Sequence, residues 1–208
     1  MIKKRWQRRK EARAPEILEA ALACFAQKGF AGTRMDDIAR KCGITKGTIY
    51  LYFDSKESVF KALARASIGE QLGAVQSLVE NFQGPSAQLL RLVLSTMGSF
   101  VRTSDRVILP KMILAESGNF PELAKFWREE IIEQGIALLG GIIQRGTARG
   151  DFRAIAPEHA ARLCVAPILL IALWRTTFAQ FDARPYDHEG LIEAHLQVLL
   201  QGMEARPG

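Results

Sequence analysis

The sequence predicts an all-α protein, and three observations support this prediction. Sustained alternation of apolar and polar residues is missing, and so are the Asn-Gly and Asp-Gly pairs that close β-hairpins. Apolar residues instead recur every three or four positions, as they do on the buried face of a helix. Proline stands at the start and glycine at the end of several of these segments, which is the usual asymmetry of helix termini.

Four helices are predicted in the N-terminal part. Apolar residues at four-residue spacing indicate a first helix over 15–28, opened by a proline. Thr33 is a typical N-cap for a short second helix, and Thr45 for a third. Asp54 begins a sequence that resembles a capping box and predicts a long fourth helix over 54–79.

Five more helices are predicted after the joint NFQGPS at 81–86. The longest apolar run, at 163–174, has 12 residues, too few to cross a bilayer, and it predicts a buried helix. The five helices are predicted over 86–102, 105–116, 121–149, 157–181 and 187–201.

The excess positive charge of the chain is confined to its N-terminal part. Residues 1–60 hold 13 Lys and Arg against 7 Asp and Glu, whereas the other 148 residues hold 15 of each. This asymmetry predicts a polyanion, most commonly nucleic acid, as the partner of the N-terminal part. The basic segment 1–12 is either a solvated tail or an arm that follows the DNA backbone or enters the minor groove.

The sparse cysteines and histidines argue against disulfide, metal and catalytic chemistry. Cys24, Cys42 and Cys164 are odd in number and far apart, which favours a reducing compartment. His188 and His195 would lie about 10 Å apart along one helix, too far for a shared metal ion. No cofactor, no metal site and no enzymatic activity are predicted. The N-terminus lacks the apolar segment of a signal peptide, so we expect a cytoplasmic protein.

The segment GITKGTIYLYF at 43–53 predicts a surface that contacts another molecule. Gly43 can adopt positive φ and lets the third helix leave the second at a steep angle. Hydroxyl and ammonium groups that face outward bind phosphate oxygens, and Gly47 lets the backbone approach a duplex closely. Together these features predict a helix-turn-helix unit shaped for the major groove. The residues predicted to face inward are Ile38, Ala39, Ile44, Ile49 and Phe53; those predicted to face outward are Thr45, Lys46, Gly47, Thr48, Tyr50 and Tyr52.

The N-terminal part closely resembles the DNA-binding domain of TetR-type (tetracycline-repressor-like) transcriptional regulators. The resemblance covers residues 13–60, with Tyr52 where many members have His and Cys42 where Ala is common. It rests on Phe25, Gly29-Phe30, Thr33, Ile38-Ala39, the run from Gly43 to Tyr50, Phe53 and Lys56-Glu57.

The resemblance implies a domain order and a set of DNA contacts. A basic arm at 1–12 would precede a DNA-binding domain at 13–60, and a helical effector-binding and dimerisation domain would occupy 61–208. The recognition helix would be 45–51. The implied DNA-binding residues are Thr33, Arg34, Thr45, Lys46, Gly47, Thr48, Tyr50, Tyr52 and Lys56, of which Lys46, Gly47, Thr48 and Tyr50 would lie nearest the bases.

The resemblance also implies a homodimer and a small-molecule pocket. The helices near 121–149 and 157–181 would form the interface; alternatively, both are core helices of one subunit. An apolar pocket predicts a hydrophobic or amphipathic effector, although Met and aromatic residues at helical spacing more often belong to the core. Those candidates are Met97, Phe100, Met112, Trp127, Trp174 and Phe178.

The predicted function is that of a ligand-responsive repressor that binds a pseudo-palindromic operator on double-stranded DNA as a dimer. Two alternatives stay open: a regulator that activates transcription or responds to a protein partner, and an architectural protein that coats DNA without a specific site.

Overall fold

The computed structural model describes residues 2–205, with side chains from Arg13 onward except that of Glu70. This part of the chain is built from helices, and its only extended pairing is a bridge between Phe152 and Glu204. The all-α prediction is confirmed. The chain forms two compact units: unit 1 comprises Met1–Gly69 and Met112–Phe126, and unit 2 comprises Glu70–Lys111 and Trp127–Gly208.

Unit 1 begins with the four predicted helices, with changed boundaries at two of them. The first helix begins far before Pro15, which lies inside it, so the predicted start was wrong. The predicted end at Gly29 is confirmed, because its φ of 71° breaks the helical geometry there. The side chains of the predicted basic arm lie outside the described residues, and its contact with DNA stays a prediction. The bounds are α1 (Ile2–Gly32), α2 (Met35–Lys41), α3 (Lys46–Tyr50) and α4 (Lys56–Ala64), the last followed by a π-helical turn (Arg65–Gly69).

Ser55, not Asp54, is the N-cap of α4. The Ser55 side chain accepts a hydrogen bond from the Ser58 backbone N–H at 3.1 Å, and the Ser55 N–H donates to Ser58 Oγ at the same distance. The predicted cap at Asp54 was therefore wrong by one residue. Ser55 at the N-cap and Ser58 three residues later form a reciprocal capping pair, because each hydroxyl satisfies an N–H group that the first helical turn leaves free.

Three phenylalanines form the centre of unit 1. The rings of Phe25, Phe30 and Phe60 lie 5.5, 5.7 and 6.1 Å apart, at tilted or edge-on angles. Ile38 of α2 and Ile49 of α3 are fully buried beside the buried faces of α1 and α4. Burial of such side chains stabilises the fold by about 1.5–3 kcal/mol each. The two short helices are thus held by tertiary packing, since helices this short are not stable alone.

The segment Met112–Phe126 joins unit 1 although it is distant in sequence. It contains most of α7 (Ile108–Glu116) and of α8 (Pro121–Trp127). The Phe120 ring packs edge-on against Phe30 with centroids 4.8 Å apart, and Glu116 Oε1 accepts a hydrogen bond from the Ala31 N–H at 3.1 Å. The sequence did not predict this docking.

Thr33 is a buried residue, and its predicted roles as N-cap of α2 and as a DNA contact are contradicted. Its side chain is 1% exposed, and its hydroxyl donates to the carbonyls of Gly29 at 2.7 Å and Cys24 at 3.2 Å. Thr33 therefore satisfies carbonyls at the end of α1. The N-cap of α2 is Arg34, whose backbone N–H donates to Asp37 Oδ2 at 3.0 Å.

Lys56 also binds carbonyls at the end of α1, and its predicted contact with DNA phosphate stays a prediction. Its ammonium donates to the carbonyls of Phe30 at 2.6 Å, Thr33 at 2.9 Å and Ala31 at 3.3 Å, and it lies 4.4 Å from the centroid of the Phe30 ring. All three donors of the ammonium are used. Burial lowers the pKa of Lys56, against the opposing effect of the neighbouring glutamates.

Unit 2 is a helical bundle around one apolar core. The core residues come mainly from α6, α9, α10 and α11. Gly98 allows α11 to approach α6, because a Cβ there would lie 2.4 Å from Ile192 Cδ1. The helices are α5 (Glu70–Asn81), α6 (Ser86–Thr103), α9 (Glu133–Ala148), α10 (Pro157–Thr177) and α11 (His188–Met203), together with the start of α7 and a π-helical turn (Arg128–Ile132).

Basic side chains cap several helix ends in unit 2. Arg145 donates to the Phe82 carbonyl at 2.6 Å just beyond α5, and Arg175 donates to the Val101 carbonyl at the end of α6. Lys111 donates to Thr176 at the end of α10, and Arg153 donates to Gly202 near the end of α11, both at 2.6 Å. A cation at a helix C-terminus is stabilised by the helix dipole and by these carbonyls.

The helix α10 is long and apolar enough to cross a membrane, judged by length and composition alone. It has 21 residues, and only 33% of its most apolar window is buried. A core helix of a globular protein passes the same test, and α10 packs against α6, α9 and α11. The predicted buried helix is confirmed for one face only, since Leu163 and Leu170 are 56% and 54% exposed.

Lys56→Met should lower the free energy of unfolding of unit 1 by about 2 kcal/mol, because three carbonyls would lose a charged donor. Urea denaturation would measure the loss. Lys46→Met is the matched control: the Lys46 side chain is 64% exposed and pairs only with Asp36, so its loss should be below about 0.5 kcal/mol. An unchanged stability in Lys56→Met would contradict the structural role assigned to this lysine.

Asp151→Ala should destabilise unit 2 by about 1 kcal/mol at pH 7, as for other residues that cap a helix start. Asp151 Oδ2 accepts from the Ser86 N–H at 2.8 Å in the first turn of α6, and this bond lowers the pKa of Asp151. A lowered carboxyl pKa stabilises the fold above the unfolded pKa of about 3.9, and this stabilisation is lost as the pH falls through the folded pKa.

Thermal unfolding at pH 7 and at about pH 3 would check this expectation, because the difference between parent and Asp151→Ala should shrink in acid. Asp54→Ala, at an exposed aspartate that caps no helix, should behave as the parent at both values. A pH-independent difference would contradict the assigned role of the Asp151 charge.

Candidate nucleic-acid interface

A tight turn after α2 sets the direction of α3. Gly43 has a φ of 69°, a conformation that side-chain-bearing residues rarely adopt. The Gly43 N–H donates to the Arg40 carbonyl at 3.2 Å, and the Ile44 N–H donates to the Ala39 carbonyl at 3.0 Å. These bonds satisfy carbonyls at the end of α2 as in a Schellman motif. The glycine predicted to permit the turn occupies the position that requires it.

Two threonine hydroxyls define the start of α3. Thr45 is its N-cap and accepts a hydrogen bond from the Thr48 N–H at 3.2 Å. The two hydroxyl oxygens lie 2.8 Å apart and also bond to each other. The predicted cap at Thr45 is confirmed. Thr45 is exposed and Thr48 half-buried, so the hydroxyl pair lies at the surface.

Gly47 leaves an open space on the exposed side of α3. A Cβ built there would meet only Thr45 Oγ1, at 4.0 Å, and the backbone does not have positive φ. The fold therefore has no need of a glycine at this position. A helix without a side chain here allows another molecule to approach the backbone closely.

The exposed side of α3 carries aromatic and apolar groups as well as polar ones. Tyr50 is 43% exposed, and Tyr52 is half-buried. Leu51, between them, is 61% exposed, whereas Ile49 is fully buried. Leu51 was not among the predicted DNA-binding residues, which are polar, aromatic or glycine.

Both basic and acidic side chains surround α3. Lys46 Nζ lies 3.2 Å from Asp36, and Arg34 is exposed at the start of α2. Asp37 accepts from Lys28 Nζ at 2.8 Å, and this bond is the main cause that lowers the pKa of Asp37. Lys46 and Arg34 therefore remain accessible to an anion, whereas Lys28 is held by a carboxylate.

The structure brings seven of the nine predicted DNA-binding residues to the exposed side of α2 and α3 or its edge, and leaves out Thr33 and Lys56. We call these seven the α3 face. They are Arg34, Thr45, Lys46, Gly47, Thr48, Tyr50 and Tyr52.

The six predicted effector-binding residues are distributed over both units. Met112 belongs to unit 1, and Met97 packs against the core of unit 2. Trp174 and Phe178 have ring centroids 5.2 Å apart at the end of α10, where Trp174 Nε1 donates to Asp182 at 2.8 Å and Phe178 is 51% exposed. Phe100 is half-buried on α6, and Trp127 is 7% exposed.

A surface groove of about 640 Å³ is lined by none of these six residues. It lies between the last turns of α9 and the start of α10 and is lined by Gln144, Thr147, Ala148 and residues 154–157. Within the described part of the chain, no group of three or more metal-ligating side chains occurs. His195 Nε2 lies 3.3 Å from the Cys164 carbonyl, and burial lowers the pKa of this histidine.

Two protein-family models match the chain. The model of the tetR family of bacterial regulatory proteins matches residues 17–63. The model of the AefR-like transcriptional repressor C-terminal domain matches residues 87–201, more than half of the chain.

Curated relatives align over most of their own length. The fatty acid metabolism regulator protein of Bacillus subtilis is 23% identical over 196 residues, covering 94% of this chain and 98% of the relative. The HTH-type transcriptional regulator RutR of Escherichia coli is 28% identical over 176 residues, covering 84% of this chain and 76% of the relative.

Solved structures share the fold. FadR of Bacillus subtilis, solved in complex with stearoyl-CoA, has a TM-score of 0.76 at 24% identity, covering 90% of this chain and 97% of FadR. A tetR-family regulator of Mesorhizobium loti has a TM-score of 0.71 at 23% identity, covering 94% and 98% of the two chains. Because the tetR-family model matches the helices that carry the α3 face, and the repressor C-terminal model matches more than half of the chain, the chain belongs to the tetR family and is a DNA-binding transcriptional regulator, not an enzyme.

Proposed function

We propose that this regulator is a repressor that binds a pseudo-palindromic operator as a homodimer and leaves it when a hydrophobic or amphipathic small molecule binds. The observation that carries the proposal is the α3 face. It combines a side-chain gap at Gly47 with exposed hydroxyl, ammonium and phenol groups beside it. A protein of this kind acts in the bacterial cytoplasm, where we place it.

The α3 face would bind DNA through two kinds of contact. Lys46, Gly47, Thr48 and Tyr50 would lie nearest the base edges of the major groove. Arg34, Thr45 and Tyr52 would contact phosphate oxygens and fix the position of α3. Phosphate contacts provide affinity for any duplex, whereas base contacts select the sequence. We propose residues 13–60 as the DNA-binding domain and 61–208 as the effector and dimerisation domain.

One α3 face reads only a few base pairs, so a specific site requires two. In a two-fold dimer, two recognition helices about 34–36 Å apart reach successive major grooves. The surface that pairs two copies should be apolar and exposed in the single chain. The dimer interface should therefore be sought on helices whose apolar residues are exposed in the single chain.

The predicted interface helix over 121–149 is the weaker candidate of the two. Its residues Ile142 and Ile143 are both 0% exposed inside unit 2, although Ile132 is 49% exposed. The other predicted helix fits better, because Leu163 and Leu170 of α10 lie seven residues apart on one face and are each more than half exposed. Val198 of α11 is 72% exposed, and α11 packs beside α10. We propose that α10 and α11 form the dimer interface.

The effector would be a molecule with a long apolar part. FadR of Bacillus subtilis, which shares the fold, was solved with stearoyl-CoA. This supports an amphipathic effector for the present chain and does not identify it. To change the occupancy of the operator-binding form from 99% to 1%, the effector must prefer the other form by about 5.5 kcal/mol.

Two segments connect the effector domain to the α3 face. The helical backbone that begins with α4 leaves unit 1 at Gly69, and the segment Met112–Phe126 returns to it. Within unit 1, Glu116 and Phe120 of this segment bind the end of α1, next to Lys56 of α4. A displacement of either segment would move the supports of α2 and α3.

Gly47→Ala should reduce operator affinity at least tenfold, because a methyl group would fill the gap that the duplex approaches. Its fold should be kept or stabilised by up to about 1 kcal/mol, since alanine favours a helix. Fluorescence anisotropy with a duplex selected from a random pool would measure binding. Gly73→Ala is the matched control: Gly73 is also helical and exposed, with no atom within 4 Å of the built Cβ, and lies on α5.

The same assay tests the effector and the specificity. Stearoyl-CoA should weaken operator binding by the parent protein and raise its melting temperature. Equal affinity of the parent for the selected and for random duplexes would contradict the operator and favour an architectural protein. Full binding by Gly47→Ala would contradict the placement of the α3 face in the groove.

Leu170→Glu should convert the dimer to monomers at micromolar concentration and weaken binding to the palindromic duplex more than to one half-site. A charge buried against the partner's apolar surface would lack a counter-charge. Analytical ultracentrifugation would measure the molecular mass. Leu92→Glu, at a leucine of α6 that is 43% exposed, is the control and should stay dimeric. A dimeric Leu170→Glu protein would rule out α10 as the interface.

A further inference from the structure

Leu51 is an exposed apolar residue in a surface that is otherwise polar or aromatic. Among the described side chains of residues 13–69, the large apolar residues that are exposed are Tyr50 and Leu51, at 43% and 61%. The core of unit 1 makes no use of Leu51, because Ile49 fills the buried side of α3 completely. A leucine left in water at this position gains nothing for the fold.

The position of Leu51 relative to Gly47 gives its side chain a defined surrounding. Leu51 is the C-cap of α3 with helical dihedral angles, φ −74° and ψ −16°. Residues four apart in a helix share a face, and side chains lean toward the N-terminus. The Leu51 side chain therefore leans toward the turn that contains Gly47. No atom of the Leu51 side chain lies within 4 Å of a Cβ built on Gly47, so a gap remains between the two side-chain positions.

The chemistry of the major groove restricts what fits beside Leu51. Base edges there present hydrogen-bond donors and acceptors and a single apolar group, the C5 methyl of thymine. Among the neighbouring groups, Lys46 and the hydroxyls of Thr45 and Thr48 are polar and suit the donors and acceptors of the base edges. An apolar side chain next to a gap without a Cβ matches a methyl group in size and polarity.

We propose that Leu51 is a specificity-determining residue that, with the gap at Gly47, recognises the C5 methyl of one thymine in each operator half-site. This inference rests on the proposed function, because it requires the α3 face in the major groove. It adds a base preference that the polar residues of the face do not provide. Leu51 would distinguish thymine from cytosine and from uracil by an apolar contact alone.

The test removes the methyl group from the DNA and the leucine from the protein. The parent protein selects a palindromic duplex from a random pool, and each thymine of a half-site is then replaced by deoxyuridine, symmetrically in both half-sites. Burial of one methyl-sized group changes an equilibrium about fourfold, so one symmetric replacement should weaken the parent about 16-fold. The other replacements should have little effect.

Leu51→Ala should bind the selected thymine duplex more weakly than the parent does. It should bind the thymine and deoxyuridine duplexes with equal affinity, because the contact with the methyl group is already absent in this variant. Its salt dependence should match that of the parent, since no phosphate contact is lost. Leu114→Ala is the matched control. Leu114 is 57% exposed in unit 1 but lies on α7, so this variant should show the same deoxyuridine effect as the parent.

The outcomes separate this inference from the proposed function. If no specific duplex is selected, the proposed operator binding fails. If a specific duplex is bound but no deoxyuridine replacement weakens the parent, or if Leu51→Ala keeps the full deoxyuridine effect, only the role of Leu51 is overturned. A selected half-site without thymine would overturn it as well. Circular dichroism of Leu51→Ala should match the parent, because the residue is exposed.

Discussion

The ammonium group of Lys56 on the end of α1 is the interaction on which the DNA-binding unit depends. It joins the first turn of α4 to the last carbonyls of α1 through three hydrogen bonds. The helices α2 and α3 lie between these two points in the chain, and α3 has only five residues. A helix of that length has no stability of its own, so its position is set by the helices that hold it. The α3 face is rigid because α1 and α4 are fixed to each other.

The same device recurs in unit 2, where arginine and lysine cap the ends of α5, α6, α10 and α11. Each of these cations is close to helix C-terminal carbonyls that would otherwise lack donors. Each of the four lies far in sequence from the helix end that it caps. Four of the 15 basic residues in 61–208 are used in this way.

Local signals in the sequence were sufficient for most helices and for the turn at Gly43, because a cap or a positive φ depends on neighbouring residues alone. Non-local contacts were not predictable in the same way. Thr33 and Lys56 are polar residues in a DNA-binding pattern, and only the structure places their donors on the carbonyls of α1. Leu51 was missed because it was assigned neither to the inward nor to the outward residues of the segment. Periodicity shows that α9 and α10 each have an apolar face but does not show which face a neighbour in the same subunit covers. Only the structure shows that Ile142 and Ile143 are buried inside unit 2.

The docking of Met112–Phe126 onto α1 has a consequence for modularity. A fragment cut after Gly69 would lack the Phe120 ring that packs against Phe30 and the Glu116 carboxylate that binds the Ala31 N–H. The DNA-binding unit of this regulator therefore cannot be transferred by recombination as one contiguous stretch of sequence. A functional chimera would need to inherit both pieces from the same parent, which ties the evolutionary history of the operator-reading surface to that of a segment embedded in the sensor half.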